Sequence, residues 1–195
     1  MRPVSFDELL PREQFIQARP ALVQQLVRVK ANRRVRIGDH LTLLFENRET
    51  VRWQVQEMCR VENIVKPEAM QSELDAYNPL LPGADELSAT LLIEYPDAEE
   101  RKEMLVRLSG LHNHLRLELS GVAPCPAQFE EGREREDGKV SSVQFIRFSL
   151  SPEQRAAFFD LTRPARFVVD HPVYSAACAL DGGQRGAMIE DLLAD

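Results

Sequence analysis

The sequence predicts an α+β fold: an antiparallel sheet packed with several helices, with a helical N-terminal third, in one domain over residues 1–195. Two patterns point there. Apolar residues recur at helical spacing through the first third, and two-residue alternation appears at Leu41, Leu43, Phe45 and again at Leu115, Leu117, Leu119. The size and balance of the chain agree, since 195 residues lie within the usual range of one domain, and 44% hydrophobic with 28% charged residues is the composition of a packed globule.

Taken in order, Ser5 and Glu8 stand at capping-box spacing, and Pro20 opens a second apolar-periodic segment through Leu22, Val23, Leu26 and Val27 that ends near Asn32. Val35 and Ile37, a turn at Gly38-Asp39, and Leu41 to Phe45 form a hairpin, with Leu44 breaking the alternation. Asn47 caps a helix expected to run to about Val65, where Pro67 stops it and opens another that ends near Asn78-Pro79. Leu87 to Tyr95 reads as a strand, and Asp97 with Glu100 starts a charged helix through Leu108. Leu115 to Leu119, the proline-interrupted edge from Val122 to Phe129, and Val143 to Phe148 supply the later strands, with Glu130 to Asp137 as a solvated hairpin tip. Ser151-Pro152 begins a helix, Phe167 to Val169 is a short buried strand, and Gly182-Gly183 precedes a terminal helix.

The formal net charge of −7 repels phosphate backbones and anionic headgroups, which disfavours nucleic-acid and membrane roles. Cys59, Cys125 and Cys178 are odd in number and widely spaced, which fits reduced thiols in a cytoplasmic protein and argues against a zinc ribbon or a thioredoxin-like site. The N-terminal residues show no apolar signal region, and no run reaches the roughly 18 apolar residues of a membrane span. No G-x-S-x-G, P-loop, G-x-G-x-x-G or H-E-x-x-H motif occurs, so no nucleophile or cofactor is nominated.

The candidate site lies on the helix after Asn47. A wheel places Val51, Val55, Met58, Val61 and Val65 on one core-facing arc, with Gln54 and Glu62 inside it and Arg48, Glu49, Arg52, Gln56 and Arg60 opposite. A buried amide or carboxylate without partners is costly, so each must meet a partner in protein or ligand. Glu57 borders the arc, Glu46 and Asn47 would sit at the pocket mouth, and Glu94 would reach it from the following strand. Three further features stand out. Asp170-His171-Pro172-Val173-Tyr174 places an imidazole, a carboxylate and a phenol at a strand end. His112 and His114 are a poor metal pair without further ligands. Lys30, Arg33, Arg34 and Arg36 form a basic cluster that either complements a helix C-terminus or docks an acidic partner.

The run Gly38 to Val51, continuing Gln54-Val55-Gln56-Glu57-Met58, then Tyr77-Asn78, Glu86 to Thr90, Phe129-Glu130-Glu131-Gly132-Arg133 and His171-Pro172-Val173-Tyr174, resembles an uncharacterised bacterial family, domain of unknown function 3501. The resemblance covers nearly the whole chain and brings no established activity. It implies a genomic setting beside rubrerythrin-like proteins and iron–sulfur oxidoreductases, and so an accessory role in redox or iron metabolism. The chain has neither a cluster-binding cysteine pattern nor the Glu-x-x-His helices of a di-iron site, so it is not expected to be the redox centre itself.

Three expectations follow from the residues. The first is an accessory or small-ligand-binding protein with a polar pocket at Gln54, Glu57, Glu62 and Glu94. The second is a carboxylate-metal enzyme in which Glu46, Glu57 and Glu62 hold iron, manganese or magnesium and His171 handles a proton. The third is docking of an acidic partner or nucleic acid on Lys30 to Arg36.

Overall fold

An extended N-terminal segment with a short 3-10 turn at Phe6–Glu8 leads into α1 (Arg12–Ala31) in the computed structural model, which describes residues 1–130 and 139–194. The Ser5–Glu8 capping box is present on the 3-10 turn, and α1 begins only at Arg12. Pro20 does not open a second helix but lies inside α1. Its missing N–H frees the Ile16 carbonyl, and because Ile16 and Pro20 both face solvent, water can satisfy that carbonyl.

The hairpin β1 (Arg34–Ile37) and β2 (Leu41–Phe45) follows as expected. Gly38, at φ +67, makes its turn possible. A Cβ there would stand 2.5 Å from the Tyr174 hydroxyl and 2.9 Å from the Ala176 Cβ, so both the backbone angle and the space demand glycine. Then come α2 (Arg48–Val61), α3 (Pro67–Tyr77), β3 (Glu86–Ile93), α4 (Ala98–Arg107) and β4 (Leu115–Leu119). The proline-interrupted edge resolves into β5 (Cys125–Pro126) and β6 (Gln128–Phe129). The chain ends with β7 (Val143–Ser149), α5 (Pro152–Phe159), β8 (Ala165–His171), β9 (Tyr174–Ala179) and α6 (Gly182–Leu193). The expected hairpin tip, Glu130 to Asp137, lies outside the described residues apart from Glu130.

The α+β class holds, with the strands divided between two antiparallel sheets. One runs β1-β2-β3-β7-β6 and the other β5-β4-β8-β9. The chain passes between them in five residues, because β5 pairs with β4 and β6 pairs with β7. One apolar cluster draws on both sheets. At its centre Phe167 lies 5.4 Å from Phe45 and 5.0 Å from Phe148, ring centroid to centroid. Burying each such side chain contributes about 1.5–3 kcal/mol. Met188 and Leu192 of α6 join this cluster, and the buried Arg185 of the same helix donates to the carbonyls of Ala157, Phe158 and Asp160, satisfying the end of α5.

A second cluster, with Val4, Leu9, Val51, Val55, Cys59, Leu74 and Leu81, holds the N-terminal helices together. Two side-chain amides fasten the N-terminal segment across this layer. Asn78 accepts from the Val4 N–H at 2.8 Å and donates to the Val4 carbonyl at 2.9 Å. Gln56 accepts from the Leu10 N–H at 2.7 Å and donates to the Leu10 carbonyl at 2.9 Å. Each amide pairs with one residue's backbone as a neighbouring strand would, so the peptide N–H and carbonyl of Val4 and of Leu10 are satisfied.

Gly38→Ala should lower stability by about 2 kcal/mol or more, the sum of a left-handed angle and the collision with Tyr174. A denaturant titration that finds the variant as stable as the parent would contradict this account of the turn.

Candidate functional site

The eight residues singled out from the sequence fall into three separate groups. Glu46 and Asn47 lie where β2 passes into α2. Glu46 accepts from the Thr50 hydroxyl at 2.5 Å and from the Thr90 hydroxyl at 2.7 Å, so both its oxygens are occupied. Asn47 caps α2 by accepting from the Glu49 and Thr50 N–H groups, and its amide donates to Asp191. Asp191 is in turn gripped by Arg33 through two bonds of 2.9 and 2.8 Å. Burial raises the Asp191 carboxyl above its ordinary range against the opposing pull of Arg33.

The second group, Gln54, Glu57 and Glu62, lies along α2 but not on its buried face. The helix ends at Val61, where Glu62 is the C-cap and Asn63 turns into the left-handed region at φ 55. A wheel extended to Val65 therefore does not apply. Glu62 is exposed, and Val61 and Val65, expected in the core, are 55% and 64% exposed. The arc that is buried runs through Val51, Val55, Cys59 and Gln56, so the polar residue pointing inward is Gln56, which the wheel had put on the solvent side. Gln54 is half-buried and makes no side-chain hydrogen bond among the described residues. Glu57 is bound by two arginines, receiving 3.0 and 2.7 Å bonds from Arg60 and 3.0 and 2.8 Å bonds from Arg19. Those hydrogen bonds, from Arg60 first and Arg19 second, lower its pKa from 4.5 to about 2.

The third group, Glu94, His171 and Tyr174, sits at the far end of the sheets with His40. The Tyr174 hydroxyl donates to the Ile37 carbonyl at 2.6 Å and accepts from the His40 N–H at 3.1 Å, tying β9 to β1. Glu94 accepts from the Thr42 hydroxyl at 2.6 Å, and the His40 ring stacks on Tyr95 at 3.9 Å. His171 is buried, with Nε2 on the Ser109 carbonyl at 2.9 Å and Nδ1 accepting from the Val173 N–H at 3.3 Å. Both ring nitrogens are thus engaged by main chain, which leaves His171 a structural tie and removes the proton-handling role expected of it. His114 stands edge-on to it at 5.0 Å and binds Asp170 at 3.1 Å.

The structure does not gather the carboxylates proposed to hold a metal. Glu46 precedes α2 and its extended N-cap whereas Glu57 lies in the third turn of that helix, and each is engaged by other partners, Glu46 by Thr50 and Thr90 and Glu57 by Arg19 and Arg60. Among the described residues no three His, Cys, Asp or Glu side chains stand close enough together to hold a cation.

What the helical layer does contain is a pair of clefts on either side of Leu10, sharing Leu10, Phe15 and Gln56 as their common wall. The first, about 260 Å³, opens between α1 and α2, with Leu22, Leu26 and Trp53 as its apolar walls and Gln25, Glu49 and Arg52 at its rim. Trp53, the chain's one tryptophan, lies 5.5 Å from the Phe15 ring, with the Arg19 guanidinium 5.8 Å from its centroid. Arg52 and Glu49 enter no ion pair and make no side-chain hydrogen bond among the described residues. The second cleft, about 300 Å³, is more apolar, with Leu9, Cys59, Ile64 and Met70 facing Arg12. Arg12 donates to the Arg60 carbonyl at 3.0 Å and to Asn63 at 2.7 Å, so it closes the end of α2. Sequence reasoning missed both clefts because Cys59 was weighed as a thiol rather than as a small core residue. Counting it as apolar would have rotated the buried arc toward Gln56.

Two antiparallel sheets around one apolar cluster, with a helical layer that carries two clefts, define the chain as an α+β protein. The chain belongs to the family described as protein of unknown function (DUF3501), whose model matches residues 3–192. It is similar to a crystal structure from Burkholderia pseudomallei, itself described as a novel protein of unknown function, at 35% identity and a TM-score of 0.90, covering 97% of this chain and 99% of that one. No curated protein matches the chain. No helix among the described residues is long and apolar enough to cross a membrane.

Two tests follow. Gln56→Leu strands the N–H and carbonyl of Leu10 and should cost about 1–3 kcal/mol in a chemical melt, whereas Gln54→Leu should stay within about 0.5 kcal/mol of the parent. Equal losses would mean that the amide clamp on Leu10 contributes nothing. The second test concerns acid. Glu57, held by Arg60 and Arg19, and Glu8, held by Arg48 and Ser5, both titrate near 2 in the folded chain instead of 4.5. Their stabilisation is therefore complete above about 4.5 and is lost as pH falls from there toward 2. Glu57→Gln should lower stability at neutral pH and flatten the decline across that window. An unchanged slope would show that Glu57 is not held as described.

Proposed function

We propose that this protein binds a small amphipathic molecule in the cleft between α1 and α2. The observation that carries the reading is the combination of apolar walls at Phe15, Leu22, Leu26 and Trp53 with a rim where Arg52 and Glu49 have no partners among the described residues. Binding sites of this kind take their affinity from an apolar body and their orientation from a few polar groups. A ligand with an aromatic or aliphatic body and a carboxylate fits, the carboxylate meeting the Arg52 guanidinium. The polar pocket expected at Gln54, Glu57 and Glu62 is thereby moved to the neighbouring side of the same helix.

The accessory part of the proposal has a separate basis. The genomic setting that the family resemblance implies is the basis for proposing a partner of rubrerythrin-like or iron–sulfur oxidoreductase type, and the free cysteines Cys59, Cys125 and Cys178 are compatible with a reducing compartment. The small-ligand reading stands or falls without it.

Because Trp53 is the only tryptophan, its emission reports directly on the cleft. Titration with a panel of aromatic and aliphatic carboxylates should give a saturable change for some members, accompanied by a rise in melting temperature. Arg52→Gln should weaken those members about tenfold. If no panel member alters emission or melting at millimolar concentration, the cleft is not a binding site.

A further inference from the structure

We infer that the solvent side of α1 is a docking face for an acidic protein partner. The face is distinct from the cleft. Phe15, Leu22 and Leu26 turn toward α2, whereas Ile16, Pro20, Val23 and Val27, spaced i, i+4, i+7 and i+11, form a second apolar stripe on the outer side of the helix. Ile16 is 47% exposed and Val27 64% exposed, although a helix that only packs on one side would carry polar residues there.

Charge identifies the partner. Residues 14–38 contain six arginine and lysine residues and no carboxylate, in a chain whose net charge is −7, so the remainder carries −13. Two of the six are neutralised internally, Arg19 by Glu57 and Arg33 by Asp191. Arg28 and Lys30 in the last turn of α1, and Arg34 and Arg36 on the outward positions of β1, form no ion pair among the described residues. An apolar stripe bordered by unpaired arginines is the make-up of a protein interface, with an apolar centre and a charged rim. The matching surface must be acidic with protruding apolar side chains.

A second copy of this chain fits poorly. A two-fold contact through α1 would set four unpaired cations against four, and a contact between α1 and an acidic region of another copy would not close. A nucleic acid fits poorly too, because its phosphates make no use of the valine and isoleucine stripe and meet a remainder of −13.

The probe is a fluorescein-labelled helical peptide with leucines at i, i+3 and i+4 spacing and glutamates between them. It is followed by anisotropy against the full chain at low and at physiological salt. Controls are the same peptide with the leucines replaced by serine, and an oligothymidylate of equal charge. We expect the amphipathic acidic peptide to bind, the serine version to bind about tenfold more weakly, and Val27→Glu or the pair Arg28→Glu, Lys30→Glu to abolish most of the binding. These positions do not line the α1–α2 cleft, so Trp53 titrations of the same variants should be unaffected. Circular dichroism and a melt confirm that each variant is folded, and Val27→Ser provides a milder substitution if the glutamate variant is not. The inference is overturned by absence of peptide binding, by equal binding of the serine version, by tighter binding of the oligothymidylate, or by a self-association in sedimentation that Val27→Glu removes.

Discussion

Arg33 and Asp191 form the contact on which the relative placement of the other elements depends. Arg33 occupies the two-residue link between α1 and β1, and Asp191 lies in the last turn of α6, almost at the other end of the chain. Beyond its two bonds to Asp191, the guanidinium donates to the carbonyls of Val29 and Ala187, and Asp191 accepts from Asn47 at the start of α2. The helical layer, the larger sheet and the terminal helix therefore meet at one buried pair. Burying opposite charges gains little on its own, but removing one partner strands the other at about 3–5 kcal/mol. The pair fixes the arrangement more than it stabilises it.

That constraint leaves α1 held firmly at its C-terminal end and lightly elsewhere. Phe15 is the one fully buried residue on its twenty-residue length, and the layer's apolar cluster is far smaller than the one between the sheets. Contact between α1 and α2 is completed by the Arg19–Glu57 ion pair, and the segment leading into α1 is tied to α2 by the amide of Gln56 on Leu10, polar links at intervals with open space between them. The cleft and the exposed apolar stripe are two results of the same sparse packing. A long helix whose inner side is only partly filled leaves room beneath it, and on its outer side Ile16 and Val27 stay exposed.

Much of the fold could be read from residues. Alternation located β2, β3, β4 and β7, proline and aspartate or asparagine located the starts of α2 to α5, and Gly38-Asp39 located the first hairpin. β9 was not legible because Ser175, Ala176, Ala177, Cys178 and Ala179 lack branched or aromatic side chains, and small residues suit an edge whose partner is given by tertiary contact. The site was harder still. Periodicity shows which residues share a helix face but not where the helix stops, and α2 stopped one residue before Glu62. The reciprocal bonding of Gln56 and Asn78 to Leu10 and Val4 joins residues 46 and 74 positions apart, a separation at which local pattern carries no information.

The three unpaired thiols are distributed so that each belongs to a different environment. Cys59 lies in the interior of the helical layer, Cys125 lies between the sheets with its pKa pushed up to about 11 by burial, and Cys178 is half-exposed on β9. An alkylating reagent would meet them in the order in which these regions open. Peptide mapping of the modified chain over time would thus separate breathing of the helical layer from that of the paired sheets, with no label introduced.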